Sequence, residues 1–442
     1  MPRFYEAYQH HATYYETILR SAREFYLQGN ESVRRAIALI DLEWGNIQAG
    51  QSWATANITQ DSVATRLCSD YSDAGAYIIE LRQHPRERIR WRETALAAAR
   101  MLRRPSSESA HLNDLGLAYA DLGESRKAIE LYEQCLTILH TIGDRLGESN
   151  TLVNIGNAYY SLGEIRRSIK IHEQALNTFQ EIGDRRGEGI ALGGLGNAYY
   201  FLGELRKAIE FYEQRLIIAR AIGDRRGESN ALGNLGNAYA DLGEPRKALE
   251  FYRQDLSIRL EIGDRRGQGE TLGNIGNAYA DVGESDKAIE YHEQYLTGAR
   301  EIGDQHGESN ALVNLGIAYR SLGKIDKAVE YYEQALLIYE KIEDRRGKSA
   351  TLGNLGNIYY GLGDLQKACD FYEKQLQISR ATEDQRGEGN ALYNLSLVSD
   401  RLGDRSLAIT QAESALRVFL LIEDPWAKEV QALLIEWRSE KR

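Results

Sequence analysis

Apolar positions along most of this chain recur every three to four residues. Between residues 224 and 263, Leu232, Leu235, Tyr239 and Leu242 form one stripe, and Ala248, Leu249, Tyr252, Leu256 and Leu260 form a second. That period belongs to helices with one buried face. Gly243, Glu244 and Pro245 separate the two stripes. Gly263 suits the left-handed position that ends a helix, and Asp264 suits the cap of the next. The segment therefore predicts two amphipathic helices joined by a tight turn.

The same unit returns with a fixed period. Gly116, Gly156, Gly196, Gly236, Gly276, Gly316 and Gly356 are spaced by forty residues, as are Tyr119, Tyr159, Tyr199, Tyr239, Tyr279, Tyr319 and Tyr359. Ala128, Ser168, Ala208, Ala248, Ala288, Ala328 and Ala368 keep the period, and Tyr132, His172, Tyr212, Tyr252, His292, Tyr332 and Tyr372 follow them. Seven units match closely and an eighth, near Ala391 to Asp424, matches loosely. One helix pair cannot bury both its apolar faces, so neighbouring pairs must stack, and terminal units need more polar outer faces.

Leu-x-x-Leu-Gly-x-x-Tyr, followed by Ala and an aromatic residue four positions on, resembles the tetratricopeptide pattern over residues 109 to 424. The unit exceeds the usual thirty-four residues through a GDRRGE-type extension, as in the forty-residue subtype of polarity adaptors and of sensor arms in STAND-type signalling ATPases. The usual proline near the unit's end is absent, so the angle between units is expected to differ from that of the common subtype. The resemblance implies an all-α, right-handed superhelical solenoid of antiparallel helix pairs. Residues 105–424 are expected to hold eight repeats, residues 1–104 an N-terminal helical region ending near Pro105, Ser106 and Ser107, and residues 425–442 a capping helix. The stretch Asp41 to Ala49, with Trp53 after it, is similar to the segment that joins a STAND or NB-ARC ATPase core to its repeats.

Composition narrows the class. With 43% hydrophobic and 27% charged residues and only five prolines, the chain suits a folded, mostly helical protein. No stretch approaches a membrane span, and the N-terminal residues lack the apolar core of a signal peptide, so a cytoplasmic location is expected. Cys68, Cys135 and Cys369 stand too far apart for a CxxC motif. The net charge of -11 argues against nucleic acid and anionic membranes, leaving proteins as the expected partners.

Catalytic chemistry finds no support. Gly347-Lys348-Ser349 ends like a phosphate-binding loop, but Ile342 stands where its first glycine belongs and the surroundings are helical. The eight histidines are scattered, and His172 and His292 take the aromatic core position of their units. Cys369 occupies a core slot held elsewhere by Ile129, Ile209 and Val329. No enzyme activity, cofactor or metal is expected.

Removing the core positions leaves a polar column on each first helix. Arg226, Asn230, Asn234 and Asn237 share one helical face. Their equivalents are Arg186, Arg266, Arg346 and Arg386; Asn150, Asn310 and Asn390; Asn154, Asn274, Asn314, Asn354 and Asn394; and Asn157, Asn197, Asn277 and Asn357. In tetratricopeptide proteins the first helices line a concave groove, so the resemblance implies a lattice of amides and guanidinium groups inside one. Gly193, Gly233, Gly273 and Gly353 are expected to deepen it. Asparagine pairs with peptide backbone, and arginine with carboxylate or phosphate, so the implied ligand is an extended, acidic protein segment. The Asn154 series has an alternative role in bonding neighbouring helices, and Arg226 an alternative partner in Asp224 or Glu228. Ile190, Glu270, Ala350, Gly194, Leu117 and Ile317 interrupt the lattice. The Lys127 and Glu130 columns of the second helices are expected to form ordinary solvated pairs.

Two functions follow as expectations: a non-enzymatic scaffold or adaptor, or a STAND-type regulatory arm acting with a separate ATPase or effector. Near-identical units also permit end-to-end self-association where a cap is poor.

Overall fold

The computed structural model describes residues 2–28, 31–75 and 85–439, and among these there is helix and turn but no strand. Contacts divide the chain into two compact units, Met1–Ala231 and Leu232–Arg442. The first holds α1 (Pro2–Gln28), α2 (Glu31–Ala56), α3 (Ser62–Ala74) and α4 (Pro85–Met101). The helix pairs α5 (Pro105–Asp121) with α6 (Ser125–Ile142), α7 (Arg145–Ser161) with α8 (Ile165–Ile182), and α9 (Arg185–Phe201) with α10 (Leu205–Ile222) come next. The division falls within α11 (Arg225–Asp241). The second unit continues with α12 (Pro245–Ile262), α13 (Arg265–Asp281), α14 (Ser285–Ile302), α15 (Gln305–Ser321), α16 (Ile325–Lys341), α17 (Arg345–Leu362), α18 (Leu365–Ala381), α19 (Gln385–Arg401), α20 (Arg405–Leu421) and α21 (Trp426–Ser439).

Local signals place the helix ends. Gly263 takes the left-handed conformation at φ 72°, and Asp264 then accepts a hydrogen bond from the Gly267 N–H at 3.0 Å. The motif satisfies backbone groups that a helix end otherwise leaves open. Glu343, Glu383 and Glu423 fill the glycine's place in the later repeats and still adopt φ of 54–57°.

Within a pair, the small residues are small because rings lie on them. A Cβ on Gly236 would stand 2.3 Å from the Tyr252 ring, and one on Gly356 2.5 Å from Tyr372. Ala128, Ala208, Ala248, Ala288, Ala328 and Ala368 are completely buried. The lysines of the second helices lie over first-helix tyrosines, with the Lys127 and Lys207 ammonium groups 3.8 Å from the Tyr119 and Tyr199 ring centroids. A lysine stem covering an aromatic face gains both packing and a cation–π attraction.

The first four helices have their own core around Leu19, Ile40, Ile47 and Tyr71, whose hydroxyl donates to the Ala12 carbonyl at 2.7 Å. The Asp41–Ala49 stretch lies in α2. Beyond it, Ile89 and Leu96 of α4 share a buried cluster with Leu112 and Leu115 of α5. At the other end α21 buries Val430, Leu434 and Trp437 against α20; residues 440–442 of the expected cap lie outside the described residues. Among the described residues no helix is long and apolar enough to cross a membrane.

Candidate functional site

The first turn of each of these first helices exposes its lattice arginine. Arg186, Arg226, Arg266, Arg346 and Arg386 are all solvent-exposed. Asn150, Asn230 and Asn310 are exposed too, while Asn390 is half-buried. One turn on, Asn154, Asn234, Asn274, Asn314, Asn354 and Asn394 are all half-buried. Asn157, Asn197, Asn277 and Asn357 are exposed, and Asn237 is half-buried.

Several of these side chains have structural partners. Arg186 approaches Asp224 at 3.8 Å, Arg266 approaches Asp304 at 3.8 Å and Arg386 approaches Asp424 at 3.1 Å. For these three the partner is the capping aspartate of the next odd-numbered helix, and Arg266 also approaches Glu270 of its own helix at 3.7 Å. Glu228, proposed above for Arg226, is taken by Arg220 at 2.8 Å and Arg225 at 2.6 Å. The capping carboxylate offsets the poor placement of a cation beside a helix N-terminus.

The inner asparagines complete the tyrosine hydroxyls. Tyr212 donates to Asn197 at 2.9 Å, Tyr252 to Asn237 at 2.7 Å and Tyr372 to Asn357 at 2.8 Å. Tyr339 donates to Asn310 at 3.0 Å. Asn274 reaches Asn237 at 3.3 Å, and Asn154 reaches Asn113 at 2.9 Å. Of the two roles weighed for the Asn154 series, the bonding of neighbouring helices is thus seen at Asn154 and Asn274.

Gly193, Gly233 and Gly273 do not deepen a groove, whereas Gly353 borders a cavity. Opposite them the second helices carry a column of unequal side chains that fills the space. A Cβ on Gly193 would come 2.3 Å from the Arg215 guanidinium, and one on Gly273 3.1 Å from the Tyr295 ring. Gly233 faces Asp255, and Gly353 faces Gln375. Where the opposing residue shrinks to Ala175, Val153 takes the volume. This exchange of size was readable in the sequence as a second forty-residue series running through Cys135, Ala175, Arg215, Asp255, Tyr295, Ala335, Gln375 and Ala415. Burial lowers the Arg215 pKa. Asp255 is almost fully buried and held by Arg259 and by Thr271 at 2.6 Å.

In the second unit, α17 and α19 bring lattice residues around one cavity of about 540 Å³. Asn354, Asn357, Arg386, Asn390 and Asn394 line it, together with Ser349, Ala350, Gly353, Gln375, Asp384, Gly387, Tyr393 and Trp426. Gln375 and Trp426 were not anticipated, because only stacking places residues of α18 and α21 beside two first helices, and Tyr393 of α19 stands where the earlier units from Val153 on carry glycine or valine.

One other cluster has the composition of a hydrolytic triad. Ser69 Oγ lies 3.0 Å from His111 Nε2, and His111 Nδ1 lies 3.9 Å from Asp73. Ser69 and His111 are both completely buried, so no substrate reaches the hydroxyl. Burial lowers the His111 pKa to about 4 and raises that of Asp73 to about 6. The cluster joins α3 to α5. Among the described residues no group of three metal-ligating side chains occurs.

Comparison with known proteins agrees with this architecture. Models of tetratricopeptide repeat families match residues 147–221, 267–341 and 348–420, residues 112–146 and 231–266, and residues 313–381. No curated protein sequence matches the chain. Among solved structures, a STAND signal-transduction ATPase with a tetratricopeptide sensor from Pyrococcus horikoshii aligns with 98% of this chain and 66% of its own, at TM-score 0.58 and 19% identity. The apo quorum sensor NprR from B. thuringiensis aligns with 77% of this chain and 95% of its own, at TM-score 0.56 and 14% identity. Aspartyl phosphate phosphatase F from Bacillus subtilis aligns with 82% and 94%, at TM-score 0.55 and 15% identity. At such identities the likeness bears on the fold alone. With helix pairs of this period and family models covering more than half its length, the chain belongs to the tetratricopeptide repeat family.

Proposed function

We propose that this chain is a non-enzymatic interaction scaffold that holds an extended segment of a partner protein against its first helices. The observation that carries the reading is the cavity of about 540 Å³ lined by Asn354, Asn357, Arg386, Asn390 and Asn394. Periodic amides with spare donors and acceptors suit a main chain, whose amides repeat regardless of side chain. The exposed arginines favour acidic residues in that segment, most readily Arg266, whose approach to Asp304 at 3.8 Å is looser than that of Arg386 to Asp424 at 3.1 Å. The net charge of -11 disfavours nucleic acid and anionic membranes as alternatives. A cytoplasmic location fits the widely spaced, unbridged cysteines.

A second reading is the regulatory arm of a STAND-type system. It is favoured by the alignment of the STAND sensor protein over 98% of the chain, α1 to α4 included. Phe4 and Tyr8 of α1 are 75% and 59% exposed and offer an apolar patch to a neighbouring protein.

Affinity capture from native extract tests both readings. The comparison is between the wild-type chain and a variant carrying Arg266→Glu, Arg386→Glu, Asn390→Ala and Asn394→Ala, with equal helicity confirmed by circular dichroism. Specific proteins lost from the variant support the groove. Proteins retained by this variant but lost on Phe4→Ser with Tyr8→Ser move the interaction to α1, and a nucleotide-hydrolysing protein among them supports the regulatory arm. Identical capture by all three chains refutes both readings.

A further inference from the structure

Within the cavity between α17, α18 and α19, Gln375 is only 6% exposed, and its Oε1 has no hydrogen-bond partner. A buried carbonyl oxygen left unpaired is costly, and native structures seldom leave one without a reason. Its column mates in this unit are provided for. Asp255 has Arg259 and Thr271, Tyr295 packs as a ring against Gly273, and position 335 is alanine. Gly353 is what opens the way to Gln375, since a Cβ there would stand 2.8 Å from Oε1.

Building on the groove reading, we infer that this cavity is a specificity subsite for a carboxamide side chain, Asn or Gln, carried by the bound segment. The chemistry around Gln375 selects that group. An amide side chain can turn over, exchanging oxygen and nitrogen, so the ligand group that satisfies it in either orientation must carry a donor and an acceptor side by side. A carboxamide does. A carboxylate only accepts; it meets Asp384 in the same cavity, and the available cation, Arg386, is already held by Asp424 at 3.1 Å. An ammonium only donates and meets that same guanidinium. The Tyr393 and Trp426 rings, 5.7 Å apart between centroids, form a wall suited to a flat, neutral amide. The cavity exceeds one side chain in volume, which leaves Asn354 and Asn394 for the flanking main chain.

Selection from a phage-displayed library of random 12-residue peptides on the full chain tests the inference. Binders are then measured by fluorescence polarisation against the wild type and against Gln375→Met, which keeps the side-chain volume, and Gly353→Ala, which narrows the cavity from the opposite wall. The expected result is one position enriched in Asn or Gln. Replacing that residue by Glu or Leu weakens binding to the wild type at least about tenfold, equivalent to about 1.4 kcal/mol. The same replacement changes little on Gln375→Met, and Gly353→Ala weakens the parent peptide. Binders that carry no amide position, or that bind Gln375→Met unchanged, overturn the subsite while the groove reading stands, provided the Arg386→Glu, Asn390→Ala, Asn394→Ala variant still abolishes them. Binders indifferent to that variant, or no binders at all, overturn both.

Discussion

Two repeats replace the buried tyrosine with histidine, and the replacement carries an acid-dependent cost that can be worked out. His172 and His292 are 1% and 2% exposed, and neither Nδ1 has a partner. Burial holds both imidazoles near pKa 4, against 6.5 for the free group. The folded state therefore prefers the neutral ring, while the unfolded chain takes up a proton once the pH falls below 6.5. Stability is unaffected above that pH and is lost as the pH drops from 6.5 towards 4. Integrating the difference in bound protons gives about 2.5 kcal/mol lost per histidine at pH 4.5. His172→Tyr and His292→Tyr remove that loss. They also recreate the tyrosine–asparagine bond seen at 2.7–2.9 Å in three other repeats, because Asn157 and Asn277 stand in the acceptor's place. That bond adds about 1 kcal/mol at pH 7. Urea unfolding followed by circular dichroism at pH 7 and pH 4.5 reads both effects. The double variant should have a higher midpoint at pH 7 and a much smaller fall between the two pH values. An equal fall in wild type and variant would refute the assignment of the acid lability to these two rings.

The same asparagine position predicts a repair elsewhere. Tyr332 is fully buried, its hydroxyl has no partner, and the residue fifteen positions before it is Ile317, itself 40% exposed. Ile317→Asn should stabilise the chain by about 1 kcal/mol in urea titrations, and an unchanged or lower midpoint would exclude the pairing. Gly298 in α14 stands where Ile218 and Ile258 are 4% exposed, and a Cβ built on it meets no atom within 4 Å. It borders an opening of about 430 Å³. Gly298→Ile should add about 2 kcal/mol through helix propensity and apolar burial, read as a rise in the thermal midpoint. A fall would mean that the opening does not admit the side chain.

Much of the fold was legible because it is local and repeated. The stripe from Leu232 to Leu242, the break at Gly243 and the Gly263–Asp264 junction follow from backbone geometry within one helix pair, and forty-residue repetition multiplies each signal. The lattice asparagines and arginines were legible as helix faces for the same reason.

Their partners were not. That Arg186 turns to Asp224, that Asn197 serves Tyr212, and that Gly353 faces Gln375 depends on how one helix lies on the next. The space beside Gly193, Gly233 and Gly273 is filled from the second helices, which a face-by-face reading of one helix cannot reveal. The cavity joins residues of α17, α18, α19 and α21, four elements whose registers are set by packing volume rather than by spacing along the chain. Periodicity decided which faces are buried and which are polar; only close packing between helices decided which polar groups are already satisfied and which, like Gln375, remain to be met.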